Sequence, residues 1–225
     1  MYEYLWWVIT LGILWIIAYI FNPLLRRKII WSSLIAFPFG FGELYFIPNY
    51  WKPETLFDFG LRYGIDIEAF GLMFFLGGIA AFVYEGLSKR RIGFQKLCRP
   101  ICKCYTPLIV TLSTFVILVK AFPFWNIIYP SSFACLTGGL WAFFIYPKLR
   151  WHILFGGVLF GIFYWLSLFI IEIFSPGWIA NTWNLAALSG ISLLKVPIEE
   201  VFFGFSFGVI WAPLFEEVCS NLHKK

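Results

Sequence analysis

Two adjacent carboxylates, Glu199 and Glu200, stand at the beginning of a long apolar stretch near the C-terminus. They follow Pro197, a residue suited to the first turn of a helix, and three apolar residues come directly after them. One interpretation is structural, because the helix dipole favours acidic side chains in the first turn. The other is functional, because a carboxylate kept beside apolar surface in a membrane usually faces a cavity or a partner.

An acid pair in apolar surroundings is equipped for proton chemistry. Burial raises the pKa of a carboxyl group by up to roughly 3–5 units, so one member of a close pair stays protonated near neutral pH and can donate that proton. Aromatic walls would stabilise a carbocation, since each ring face contributes about 0.5–2 kcal/mol of cation–π attraction. Aromatic residues form 23% of the chain, although most of the 28 phenylalanines are expected to face lipid.

The composition places these acids in a membrane protein. Of the 225 residues, 61% are hydrophobic and 13% are charged, and the mean hydropathy of +0.82 lies outside the range of soluble domains. Apolar stretches long enough to cross a hydrocarbon core of roughly 30 Å recur along the chain. The predicted spans are residues 4–21, 29–47, 67–84, 105–124, 128–146, 151–173 and 198–215. The first has no cleavage site and is expected to be retained.

Predicted loops that are rich in lysine and arginine alternate with loops that are not. Basic residues at 26–28, 89–103 and 148–150 fall in the first, third and fifth connections, whereas the other connections carry few or balanced charges. Because cytoplasmic loops are enriched in basic residues, this pattern predicts an N-terminus outside the cell. The net charge of +5 is then explained mostly by the basic residues of the predicted cytoplasmic loops. No nucleic-acid partner is expected, since no binding fold surrounds the basic segment.

An internal repeat relates the two halves of the chain. Residues 67–85 align with 198–216 without a gap, at a constant offset of 131 (199 minus 68). The alignment pairs Glu68 with Glu199 and Gly77 with Gly208. Two shorter pairs of similar segments precede the aligned helices. Three helices are therefore predicted to be duplicated, with the span at 105–124 between the copies. This single intervening span lets the second copy enter the membrane in the same direction as the first.

The sequence therefore predicts an all-α polytopic membrane protein of about seven transmembrane helices, arranged as two parallel three-helix repeats and one linking helix. The first repeat covers residues 1–88, a basic cytoplasmic loop and the linking helix cover 89–125, and the second repeat covers 126–225. Gly157, Gly161, Gly204 and Gly208 form two pairs with a spacing of four. We expect them inside the bundle, where small residues let helices approach closely.

Six acids are predicted near the outer ends of their helices, three from each copy, so two acid clusters should face each other across the repeat interface. The six are Glu43, Asp66 and Glu68 in the first copy and Glu172, Glu199 and Glu200 in the second. Glu85 and Glu216 lie at the inner helix ends beside basic loops. These two are expected to be structural.

The cysteine residues do not predict a metal site. Cys98, Cys102 and Cys104 lie in a predicted cytoplasmic loop, where thiols stay reduced, and no fourth ligand stands at a suitable spacing. Reversible lipidation of one of them stays open. The chain also lacks a flavin fingerprint of the G-x-G-x-x-G type, so no cofactor is expected.

Several of these segments resemble a known family. "VPIEEVFFGFSFGVIWAPLFEE", together with "IDIEAFGLMFFLGGIAAFVYE", "IPNYWKP" and "SPGWIANTW", resembles the lycopene cyclase domain of the flavin-independent, heterodimeric carotenoid cyclases of bacteria and archaea. The cyclase half of the fungal fusions with phytoene synthase looks similar. The resemblance covers nearly the whole chain. Its sharpest element is Pro-x-Glu-Glu-x-x-Phe, which Pro197, Glu199, Glu200 and Phe203 fill.

The resemblance implies a non-redox reaction. A carboxylic acid protonates the terminal double bond of a linear carotenoid, the neighbouring double bond attacks the cation, and a base removes a proton to leave a β-ring. Glu199 or Glu200 would be the acid and the other its partner or base, with Glu68 the matching acid of the first copy. The first copy departs from the pattern, since Asp66 replaces the proline and Ala69 replaces the second acid.

Further site residues follow from the acid clusters and from the resembling segments. Supporting acids are Asp66, Glu43 and Glu172, and the expected substrate pocket is formed by the aromatic residues Trp51, Trp178, Trp183, Phe202 and Phe203. The implied partners are a linear carotenoid, membrane lipids, and either a second cyclase subunit or a second copy of the chain. The implied location is the plasma membrane of a prokaryote. The alternative function is a non-catalytic carotenoid or lipid binder, or a helper subunit of a pigment assembly.

Overall fold

The computed structural model describes residues 2–88 and 106–219, without the side chains of Ser88 and of residues 215–219. The predictions on Cys98, Cys102 and Cys104, on the basic segment 89–103 and on the side chain of Glu216 therefore lie outside the described residues. Helices dominate what is described. They are α1 (Glu3–Phe21), α2 (Arg26–Ala36), α3 (Glu43–Phe46), α4 (Phe59–Tyr63), α5 (Ile67–Ser88), α6 (Thr106–Ala121), α7 (Ile128–Ile145), α8 (Arg150–Phe174), α9 (Trp178–Thr182) and α10 (Ile198–Cys219).

The protein is an all-α membrane protein. Five helical segments of the described chain are long and apolar enough to cross a membrane, at residues 3–21, 26–46, 67–87, 128–145 and 147–174. Each coincides with a predicted span to within a few residues. The predicted span at 105–124 falls on the shorter apolar helix α6, and the one at 198–215 falls on α10.

The second apolar segment changes from an α-helix to a 3-10 helix before it ends. Between α2 and α3 the residues Phe37–Gly42, with the sequence FPFGFG, form a 3-10 helix. Pro38 removes a backbone donor there, and Gly40 and Gly42 lower the preference for a regular α-helix. The tighter turn continues directly into α3, which begins at Glu43. This local change of geometry positions the Glu43 carboxyl group inside the protein, where it is 7% exposed.

The α5 and α10 helices form the centre of the bundle. α5 packs against α1 and α2, α10 packs against α7 and α8, and the two central helices also contact each other. Glycines make the closest approaches. A methyl group added at Gly208 would lie 2.7 Å from Cβ of Phe160 and 3.0 Å from Cα of Gly157. Gly157, Gly161, Gly204 and Gly208 are all buried, as predicted.

Two connections, called the outer connections below, meet each other at one end of the bundle. One joins α3 to α4 and the other joins α9 to α10, and they pair at a bridge between Trp51 and Trp183. The backbone N–H of Lys52 donates to the carbonyl oxygen of Thr182 at 2.7 Å. A two-stranded hairpin, β1 (Ser192–Leu193) and β2 (Val196–Pro197), then leads into α10. The pairing therefore holds both connections against the helix ends that carry the acids.

An ion pair ties the opposite ends of α2 and α5 together. The Nζ atom of Lys28 lies 2.7 Å from Oε1 of Glu85, and both side chains are buried. Buried charges are tolerated when they are paired in this way. Beside the pair, Nε2 of His152 lies 2.9 Å from the carbonyl oxygen of Ala212, which connects α8 to α10.

Replacing Gly208 by alanine is expected to force α8 and α10 apart, because the added methyl group meets the backbone of α8. Overpacking of this kind costs about 1–3 kcal/mol in the free energy of unfolding. Thermal unfolding of the purified protein in detergent measures the effect as a lower midpoint. Gly42→Ala is the matched control, since a methyl group there meets no atom of the described residues within 4 Å. Equal midpoints for the two variants would contradict the close packing at Gly208.

Candidate active site

A mostly apolar cavity of about 440 Å³ lies between α5, α7, α10 and the segment at residues 38–46. Aromatic and aliphatic side chains form most of its wall, including Phe203, Phe207 and Trp211 from α10. Within the described part of the chain, two carboxyl side chains line it, Glu43 and Glu200. The structure thus places one acid of each predicted cluster on a single apolar cavity.

Glu200 is held by three hydrogen-bond donors from three different parts of the chain. The hydroxyl of Tyr164 on α8 donates to Oε2 at 2.8 Å, and the indole Nε1–H of Trp183 donates to Oε1 at 2.6 Å. The hydroxyl of Tyr50, in the connection after α3, also donates to Oε1. Burial raises the pKa of Tyr50 well above its ordinary value, and the Glu200 carboxylate raises it further, so Tyr50 remains a neutral donor.

Glu43 has a similar but smaller set of partners. The indole Nε1–H of Trp51 donates to Oε2 at 2.9 Å, and the hydroxyl of Tyr4 on α1 donates to Oε1 at 3.4 Å. The rings of Trp51 and Trp183 lie 5.3 Å apart, so neighbouring indoles hold the two cavity carboxyl groups. The pairing of the outer connections is therefore what brings Glu43 and Glu200 to the same site.

The other two acids of the α5 and α10 helix starts hold outer connections instead of lining the cavity. Oε1 of Glu199 accepts from the hydroxyl of Tyr129 at 2.7 Å and from the backbone N–H of Ser189 at 2.8 Å. Oε1 of Glu68 accepts from the backbone N–H of Leu56 at 2.6 Å. In each acid the second carboxyl oxygen is buried and has no hydrogen-bond partner among the described residues. The structure thus separates Glu199 and Glu68 from the cavity wall.

Glu172 also ties down a connection. Its two carboxyl oxygens accept from the backbone N–H groups of Gly177 and Ile179 at 2.8 and 3.0 Å, and Nζ of Lys195 lies 3.7 Å away. Gly177 has a φ of +90°, a conformation that glycine adopts without strain. Glu172 therefore fixes the turn that leads from α8 into α9.

Asp66 caps a helix. It immediately precedes α5, and its Oδ1 accepts from the backbone N–H of Ala69 at 2.6 Å, which is the usual geometry of an N-cap aspartate. The other oxygen, Oδ2, is buried, and no residue of the described chain forms a hydrogen bond with it. Burial raises the pKa of Asp66 to about 6, the backbone hydrogen bond lowers it, and the nearby Glu68 raises it. Asp66 stands where the second copy has Pro197, which also precedes its helix.

Of the predicted aromatic residues, three line the cavity and two lie elsewhere. Trp51, Trp183 and Phe203 are part of its wall. Phe202 packs against Phe133 with ring centroids 5.4 Å apart. Trp178 contacts Trp183, with centroids 5.0 Å apart, and borders a second pocket.

Sequence reasoning did not select the tyrosines of the site. Tyr50 belongs to the segment "IPNYWKP", where it precedes Trp51, so a signal for it was present. Tyr4 and Tyr164 stand inside apolar helices among other aromatic residues. Their hydrogen bonds to Glu43 and Glu200 join residues 39 and 36 positions apart in the chain. No local pattern marks such pairs.

The fold and the cavity together define a class: helical membrane proteins that carry buried carboxyl groups on an apolar, aromatic cavity. The family model for lycopene cyclase matches residues 126–218, which include Tyr164, Trp183, Glu199 and Glu200. This match confirms the resemblance to the lycopene cyclase domain family for residues 126–218. No curated protein and no solved structure matches the chain.

Asp66→Asn is expected to remove a pH dependence of stability. The pKa of Asp66 is raised by burial to about 6, above an unfolded value of about 3.9. The folded state therefore holds the proton more tightly, and stability falls by up to about 3 kcal/mol as the pH rises from about 4 to 6. Asparagine keeps an oxygen for the N–H of Ala69 but does not titrate.

Thermal unfolding in detergent between pH 4 and 7 measures this effect. The midpoint of Asp66→Asn should rise relative to that of the wild type over this range and then stay constant. Asp58→Asn is the control, because the side chain of Asp58 is 63% exposed. A difference between Asp66→Asn and wild type that does not change with pH would overturn the assignment.

Proposed function

We propose that this protein is a carotenoid cyclase that converts the linear end group of lycopene, or of a related acyclic carotenoid, into a β-ring by acid catalysis. The observation that carries the proposal is the Glu200 carboxyl group, which three donors hold against an apolar cavity with aromatic walls. The lycopene cyclase match over residues 126–218 supports the same activity.

In the proposed reaction Glu200 is the acid. Its proton adds to the terminal carbon–carbon double bond of the end group and leaves a cation at the adjoining carbon. The neighbouring double bond supplies the electron pair of the new ring bond, and a base then removes one proton to restore a double bond. One proton enters and one leaves, so the product is an isomer of the substrate and the step is an intramolecular lyase reaction without oxidant or reductant.

The wall of the cavity suits a cationic intermediate. Trp51, Trp183 and Phe203 present aromatic side chains there, and each ring face contributes about 0.5–2 kcal/mol of cation–π attraction. The apolar lining also limits water, which would otherwise capture the cation. Tyr50 and Tyr164 keep the acid in place, and each hydroxyl can both donate and accept, so the network accommodates both protonation states of Glu200.

The roles proposed for Glu199 and Glu68 come from the resemblance to the lycopene cyclase domain family. Glu199 would be the partner or base of Glu200, and Glu68 the matching acid of the first copy. Their placement favours an indirect role, because both hold the outer connections. Ala69 occupies the position of the first copy that corresponds to Glu200, and it also lines the cavity. This difference between Ala69 and Glu200 supports a single catalytic acid on the helix pair formed by α5 and α10.

The proposal includes seven spans with the N-terminus outside, as two parallel repeats and a linking helix. Two observations support the repeat. Three positions of α5 and their counterparts in α10 at the offset of 131 all line the cavity: Ala69, Leu72 and Leu76, and Glu200, Phe203 and Phe207. The paired residues Gly77 and Gly208 both make close approaches, to α2 and to α8 respectively.

The substrate and location follow from this placement. A carotenoid dissolves in the bilayer, and the cavity wall includes exposed apolar residues such as Phe41, Leu112 and Tyr45. The end group would reach the acids from the lipid phase. We place the protein in the plasma membrane of a prokaryote, acting either alone, as two copies, or with a second cyclase subunit.

Glu200→Gln is expected to lower ring formation by about 10²–10⁴-fold, because glutamine keeps the shape of the side chain but cannot donate the proton. Glu199→Gln is the matched control on the same helix turn and should retain activity within about tenfold. Both variants are expressed in bacteria that accumulate lycopene, and the pigments are separated by chromatography.

The amount of each protein in the membrane is measured in parallel. Cyclic carotenoids that persist in Glu200→Gln would contradict the role of Glu200 as the acid. A wild-type protein that is present in the membrane but forms no cyclic carotenoid would instead favour a non-catalytic binder or a need for a second subunit.

A further inference from the structure

A second pocket of about 330 Å³ lies at the outer end of the molecule. Polar and charged side chains form much of its wall, in contrast to the first cavity. Its polar lining residues include Glu3, Lys52, Glu54, Ser175, Asn181 and Thr182. Asn181, Lys52 and Glu54 are exposed. This polar outer pocket is therefore suited to hold water.

Tyr4 connects this polar outer pocket to the apolar cavity. Tyr4 is one of the residues that line the pocket, and its hydroxyl lies 3.4 Å from Oε1 of Glu43, which lines the cavity. Tyr4 is 0% exposed, and its ring packs edge-on against Trp51 with centroids 4.8 Å apart. A tyrosine hydroxyl both donates and accepts a hydrogen bond, so it can pass a proton from one side to the other.

Glu200 has a different environment. All three of its donors, Tyr50, Tyr164 and Trp183, themselves line the apolar cavity. Among the described residues, Glu43 is thus the cavity acid with a hydrogen-bond partner that also lines the polar outer pocket. We propose that Glu43 is the base of the reaction, and that Tyr4 is the relay through which the proton on Glu43 exchanges with water in the polar outer pocket. This inference rests on the proposed function.

The proton balance makes the inference testable. In each turnover Glu200 gives one proton to the substrate, and Glu43 takes one proton from the carbon that becomes part of the ring double bond. Glu200 must regain a proton before the next turnover, and in the proposed cycle this proton passes to it from Glu43. While it resides on Glu43 it exchanges with water through Tyr4. In D₂O the next substrate then receives deuterium, whereas without the relay it receives the protium taken from the previous substrate.

The experiment supplies lycopene to membranes that contain the protein, in D₂O buffer, and measures deuterium per ring in the cyclic product by mass spectrometry. The wild type should incorporate nearly one deuterium per ring. Tyr4→Phe keeps the ring packed on Trp51 but removes the relay, so the label per ring should fall about twofold or more. A purely structural role would lower the rate without changing the label.

Tyr129→Phe is the matched control. It removes a tyrosine hydroxyl from Glu199, away from the cavity wall, and should leave the label unchanged. Asn181→Leu narrows the polar outer pocket but leaves Tyr4 and Glu43 intact, so it should lower the deuterium per ring. This variant tests the relay if Tyr4→Phe does not accumulate in the membrane. Full deuterium label in Tyr4→Phe or in Asn181→Leu, with ring formation retained, would overturn the relay. Absence of cyclic product in the wild type would count against the proposed function instead.

Discussion

A carboxyl group buried in an apolar helix bundle has to be given hydrogen bonds, and this requirement organises the outer half of the protein. An unpaired buried acid would cost several kcal/mol, and the helix faces around these acids are apolar. The donors therefore come largely from the connections between helices. Trp51 and Trp183 reach Glu43 and Glu200, and the backbone of the turn after α8 reaches Glu172. The acids and the connections stabilise each other.

The same requirement divides the acids into two groups. Glu68, Glu172 and Glu199 accept backbone N–H groups of the connections, and Asp66 accepts one from the start of α5. Such carboxylates fix chain geometry. Glu43 and Glu200 instead accept from tyrosine and tryptophan side chains and face an apolar cavity. Because both carboxyl groups line the cavity, their position suits proton transfer to a molecule bound there.

Close helix packing at glycines helps to bring side-chain donors within reach of the buried acids. Because α8 and α10 approach through Gly157 and Gly208, Tyr164 on α8 comes within hydrogen-bond distance of Glu200 on α10. Gly77 makes a similarly close approach between α5 and α2. The glycine contacts between α8 and α10 therefore help to set how far the Tyr164 hydroxyl stands from Glu200.

The sequence by itself determined the features that depend on composition and local order. Apolar run lengths predicted the helical spans to within a few residues, because a bilayer requires about 20 apolar residues per helix. The acids at the starts of α3, α5 and α10 were visible for the same reason: a charge inside an apolar run stands out. Gly157 and Gly208 were identified as interior residues from their spacing.

Only the tertiary structure decided which acids share a cavity. Adjacent helix residues point about 100° apart, so Glu199 and Glu200 face different surroundings although the sequence treats them alike. Which one meets the cavity depends on how α10 is rotated against α5 and α8. Tyr4, Tyr50 and Tyr164 reach the acids from separate elements, and no local pattern encodes such contacts. They arise from the packing of distant segments, which a linear pattern of residues does not specify.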